Sequence, residues 1–232
     1  MFSWLRREPA SLAEHRRQMA EALADYPVYD PPHRQGPNFP RSLQGRSEAD
    51  YKRLLEEFRR RGRENFSYFM ECRDVRRAAL SAFLARFDVR GDVDDTGLAA
   101  VSAWRPGNCG ALVPGLREDT TRQAFFQLSV PWTEKLRVLN VIFDLGVFFG
   151  ECITIRNRQL HWTYKPGGSN GGVPNHSGYD IAGFRNPRDS LDPVGRMYRE
   201  CGNDEVDLRS GSVGRAVRRD GLSGMVRDFS TR

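Results

Sequence analysis

Apolar residues recur along this chain mostly at helical spacings, and their pattern changes character several times. Residues 11–25 place Leu12, Met19, Ala20 and Leu23 near one face behind Ser11, which reads as the N-cap of an amphipathic helix. The next stretch, 26–40, holds Pro27, Pro31, Pro32, Pro37 and Pro40, which remove backbone donors and bias the preceding residues to extended conformations. It predicts an extended strap over the surface, packing Tyr26, Tyr29 and Phe39, with a flexible linker as the competing reading.

From Ser47 the residues Tyr51, Leu54, Leu55 and Phe58 follow the i, i+3, i+4, i+7 template, and Arg61-Gly62-Arg63 reads as an interruption. A second helical run, Asn65–Phe87, carries Phe66, Phe69, Met70, Leu80, Phe83, Leu84 and Phe87. The two make either an antiparallel pair or one long bent helix. Asp95 or Thr96 then caps a short helix through Leu98, Val101 and Trp104 that Arg105-Pro106-Gly107-Asn108 should stop. Asp119–Leu128 predicts another short helix.

The most apolar run is residues 133–157, TEKLRVLNVIFDLGVFFGECITIRN, with Thr133 as its expected N-cap. Between Val138 and Ile155 it is apolar on almost every side, the pattern of a helix surrounded by other elements. A membrane span is the alternative, and Asn140, Asp144 and Glu151 oppose it, because one acid at mid-bilayer costs roughly 2.5–3.5 kcal/mol. Leu160–Tyr164 alternates like a strand, whose partner is either Cys152–Ile155 or Tyr179–Phe184. Asp192-Pro193 opens a helix expected to end near Cys201-Gly202.

These elements predict a mainly α fold with a small β element (α+β), a single globular core around a buried central helix. The expected organisation is an N-terminal helix and Pro-rich strap over 1–46, an α-rich domain over 47–202 and a basic, flexible tail over 203–232.

Composition changes this picture little. The net charge of +6 suggests a polyanionic partner, yet three of the 36 basic residues are lysines and 33 are arginines, a bias expected of a GC-rich coding genome. The tail is the exception: residues 209–232 set six arginines against Asp220 and Asp228, which makes Arg215, Arg218 and Arg219 the candidates for nucleic-acid binding. The basic start of the chain lacks an apolar signal centre, so the expected location is cytoplasmic, with no membrane association. Cys72, Cys109, Cys152 and Cys201 lie too far apart for zinc-ligand pairs and read as buried reduced thiols; no metal and no cofactor is expected.

Candidate chemistry is sparse. Asp144 and Glu151 stand two helical turns apart on one face, and buried carboxylates can act as acid, base or ligand; the reading preferred here makes them structural acids paired with arginines. Cys109 with His161 or His176 as base is a weaker nucleophile reading, and no catalytic residue is assigned. The glycine-rich loop 167–178 lacks a P-loop lysine and a following helix, so it reads as a surface loop. Loops and strap then supply the partner-binding candidates Tyr29, His33, His161, Trp162, His176 and Asp180.

The segment LGVFFGECITIRNRQLHW, residues 145–162, resembles a helix-to-strand pattern in small bacterial domains that include toxin-neutralising immunity proteins. That resemblance implies a non-enzymatic bacterial binding protein recognising a protein partner, and no residue role carries over from it. The alternatives are a nucleic-acid-associated protein using the tail and a hydrolase using Asp144 or Glu151.

Overall fold

A computed structural model describes residues 10–34, 47–112, 115–165, 178–210 and 221–231. Its elements run α1 (Ala10–Leu23), α2 (Glu48–Ala85), α3 (Asp95–Leu112), α4 (Asp119–Phe126), α5 (Leu139–Arg156), β1 (His161–Tyr164), β2 (Tyr179–Ala182), α6 (Pro193–Ser210) and α7 (Gly221–Ser230). The fold is mainly α with one two-stranded antiparallel sheet, as the periodicity predicts.

The residues from Ser47 to Ala85 form one helix, not a pair. Ser47 Oγ accepts from Asp50 N at 3.2 Å, and the ion pairs Lys52–Glu48, Arg61–Glu57 and Arg60–Glu64 carry the helix past the expected break. Gly62 is a slot rather than a stop, because a Cβ there would overlap the Tyr164 hydroxyl. At 38 residues the helix is about 57 Å long.

Pro106 likewise fails to end α3, which runs on to Leu112. Its missing N–H leaves the Ser102 carbonyl without the usual helical donor, and Ser102 turns its hydroxyl to α7, accepting from Leu222 N at 3.1 Å. The cap of α3 is Asp94, whose Oδ1 accepts from Gly97 N at 2.7 Å, in place of Asp95 or Thr96. Ser11 falls within α1, which begins at Ala10.

Thr133 makes no capping bond; a 3₁₀ turn at Glu134–Leu136 intervenes and α5 starts at Leu139. Every residue from Leu139 to Ile153 is buried. The stretch Glu134–Arg156 is long and apolar enough to cross a membrane, yet 89% of its apolar window is buried within the fold, as in the core helix of a soluble protein. Cys152–Ile155 is helix, and β1 takes β2 as its partner, with Trp162 opposite Ile181 and Tyr164 opposite Tyr179.

α6 packs against both α5 and α3 through two glycines. A Cβ on Gly146 would stand 2.5 Å from Val194 Cα, and one on Gly110 would stand 2.6 Å from Glu205 N. Asp192 caps α6, accepting from Gly195 N at 2.7 Å, and the helix continues past Cys201-Gly202 to Ser210. The expected tail is therefore structured at both described ends: α7 buries Leu222 and Val226 against α3 and α5, and Asn157 Nδ2 donates to Ser230 O at 3.0 Å. Its amphipathic pattern LSGMV is too short to stand out in a glycine- and arginine-rich context, and tertiary packing decides it.

Candidate functional site

The polar side chains of α5 are held by partners from distant parts of the chain. Asp144 is fully buried; its Oδ1 accepts from Arg76 Nε at 2.8 Å, and its Oδ2 accepts from Arg76 Nη2 at 2.7 Å and Tyr26 Oη at 2.5 Å. Burial pushes the carboxyl up to about 6, against the pull of Arg76 and Tyr26. Burial also disfavours the Arg76 cation, but Asp144 outweighs it and raises its pKa. Arg76 further donates to Pro27 O at 2.9 Å, which fastens the strap to the same ion pair.

Asn140 extends this fastening, its Oδ1 accepting from Tyr29 N at 2.7 Å while Nδ2 donates to Trp132 O at 2.9 Å. Glu151 Oε1 accepts from Arg73 Nη1 at 2.9 Å and from the Trp162 indole at 2.7 Å. Trp162→Phe should cost about 1–3 kcal/mol of stability by leaving that nearly buried carboxylate short of one donor; urea denaturation measures it. Both acids are therefore structural partners of arginines. Asp144 offers a substrate neither an open face nor an unoccupied oxygen.

The partner-binding candidates divide unevenly. Tyr29 is buried, stacks on Phe143 at 4.4 Å and touches the Tyr179 hydroxyl at 3.1 Å, so it is core and not surface. Trp162 and Asp180 are buried too, the latter accepting from Ser190 Oγ at 2.8 Å. The candidates are expected on loops and strap, whereas the sheet that carries Trp162 and Asp180 is covered by α2 and α6 and β2 is largely enclosed. His33 is half-buried, paired with Glu64, and its backbone brackets Asn65. His161 alone of the described candidates is exposed, its ring within 3.2 Å of Gln159 O. His176, Phe39, Arg215, Arg218 and Arg219 lie outside the described residues.

Cys109 is buried beside Cys201, and burial pushes its thiol well up, which removes it as a nucleophile. Arg105 pairs with Asp204 in the same α3–α6 contact. No group of three or more potential ligand side chains converges for a metal among the described residues.

A different surface comes from the way α4 meets α6. The turn before α4 supplies Arg117, the first turn of α4 supplies Arg122, and α6 supplies Arg199, around an open groove of about 480 Å³ floored by Phe126 and Tyr198. The ring of Tyr198 is fixed by stacking on Phe125 at 4.5 Å, and its hydroxyl donates to Leu116 O. Arg122 pairs with Asp119 at 2.8 Å on the surface, while Arg117 and Arg199 have no ion-pair partner among the described residues. Among the described residues no acidic side chain lines the groove. Arg117 and Arg199 are 82 positions apart, and a helix read as ending near Cys201 gives no cue that they meet.

Comparisons with protein-family models, curated proteins and solved structures return no match. Residues 145–162 are mostly core packing of α5 and β1.

Proposed function

We propose that this chain is a non-enzymatic binding protein that recognises a protein partner. The observation that carries this reading is the commitment of Asp144 and Glu151, the candidate catalytic acids, to Arg76, Tyr26, Arg73 and Trp162. The buried ionisable groups hold the core together, and exposed arginines of the helical frame carry charge available for recognition. Its four reduced thiols, three of them buried, fit a cytoplasmic setting.

The toxin-neutralising form of this role, which the resemblance implies, is the finer version of the proposal. Cross-linking in the native host followed by reconstitution from purified components tests the broader one. A stoichiometric complex with one protein is expected, and toxicity of that protein suppressed by co-expression would establish the finer role. Turnover of a substrate that is abolished by Glu151→Gln or Asp144→Asn in a folded variant, with no stoichiometric partner, would overturn the proposal.

A further inference from the structure

We infer that the groove between α4 and α6 binds an acidic peptide segment of a partner protein, its carboxylates received by Arg117, Arg122 and Arg199. This rests on the binding-protein reading and adds the place and the chemistry of recognition. Arg117 and Arg122 from one stretch of chain and Arg199 from α6 line one concave surface, and no acid is among its described lining residues, so an anionic occupant is the one that complements it.

The form of the anion follows from what the groove offers. Phosphate sites draw on backbone N–H groups at helix N-termini. Here the N-terminal turn of α4 already carries Glu118 and Asp119, whose charges oppose a phosphate dianion there. Recognition is left to side-chain forks, and a planar guanidinium offers two parallel donors that match a carboxylate. Between the forks, the half-buried Phe126 ring gives an apolar floor for an aliphatic residue flanking the acids.

Gly202 completes the shape. It is a helical residue of α6 lining the groove, and a Cβ added there would meet no atom within 4 Å. A side chain at this position would stand in the space the peptide occupies, without touching the core or altering charge.

The test uses the full chain and a labelled peptide rich in glutamate with one leucine, read by fluorescence anisotropy at low and physiological salt. Binding that weakens as salt rises is expected, with loss for the peptide carrying Gln in place of Glu. Arg117→Glu with Arg199→Glu should weaken it by about a hundredfold, roughly tenfold for each lost charge-assisted contact. Gly202→Phe should weaken it comparably with charge unchanged. Lys52→Glu with Arg53→Glu, an equal reversal on the exposed start of α2, should leave it near wild type.

Equal loss in the α2 variant would mean general electrostatic attraction and overturn the inference. So would undiminished binding in Gly202→Phe with a native circular-dichroism spectrum, or complete displacement of the peptide by inorganic phosphate at equal concentration. A reconstituted native partner that binds both groove variants normally would remove this inference and leave the binding-protein reading standing.

Discussion

Arg76→Met is expected to destabilise the protein by about 3–5 kcal/mol at neutral pH, because it leaves the Asp144 carboxylate charged and uncompensated in the core. Tyr26 would remain as one neutral donor, and the strap would lose the Arg76 bond to Pro27 O at 2.9 Å. The penalty should depend on pH in a definite direction. In the wild type burial already lifts this carboxyl to about 6, and without the guanidinium it rises further. A folded-state pKa above the unfolded one means that the folded variant takes up a proton, between the ordinary carboxylate range and its own pKa, that the unfolded chain does not. Its deficit relative to wild type is therefore largest above that pKa and shrinks as pH falls from there towards about 6, where the wild-type carboxyl takes up its own proton. Urea denaturation of both proteins at pH 7.5 and pH 5 checks this, and an equal deficit at both pH values would refute the account. Replacing both partners, Arg76→Met with Asp144→Leu, should recover most of the loss, since an apolar pair of similar volume needs no compensation.

The second large effect is expected at Gly146. Alanine ordinarily favours a helix over glycine by about 1 kcal/mol. At this position the added methyl would stand 2.5 Å from Val194 Cα and 3.1 Å from Val194 N, and backbone cannot rotate aside as a side chain does. α6 cannot simply retreat, because the other end of its contact is pinned where Gly110 admits Glu205 N and Asp204. The clash outweighs the propensity, and Gly146→Ala should cost about 2–4 kcal/mol. For a chain of this length that lowers Tm by roughly 5–15 °C. Gly202→Ala, in the same α6, has nothing within 4 Å of the added Cβ and should be neutral or raise stability by about 0.5–1 kcal/mol. Differential scanning calorimetry of the two variants separates an effect of helix contact from one of glycine chemistry.

Legibility in the sequence followed the length scale of the interactions involved. The all-round apolar run at 139–153 announced the central helix because its burial is written residue by residue. Asp192-Pro193 announced α6, and the alternation at 161–164 announced β1, for the same local reason. Misreadings arose where a residue type has a local meaning that a distant contact replaces. Gly62 and Pro106 are helix breakers by propensity, yet one accommodates Tyr164 and the other lies in a helix held by α6 and α7. Tyr29 and Trp162 resemble recognition aromatics, yet each places its polar group on a buried partner, Tyr179 in one case and Glu151 in the other. The arginine groove was invisible because its members share no periodicity, and only the seating of α4 against α6 brings them together.

The position of α5 in the order of synthesis has a consequence for how the protein reaches this state. Asp144 leaves the ribosome after both Tyr26 and Arg76, so its charge meets waiting partners. The apolar flanks of the same helix fare differently, since two of the helices that cover them, α6 and α7, belong to residues 193–230 and are made later. A nascent chain halted between Arg156 and Pro193 would display the most apolar segment of the molecule with those flanks bare, the condition under which partly made chains aggregate or recruit chaperones. The short α7, with Leu222 and Val226 fully enclosed, is in this sense the closing piece of the core.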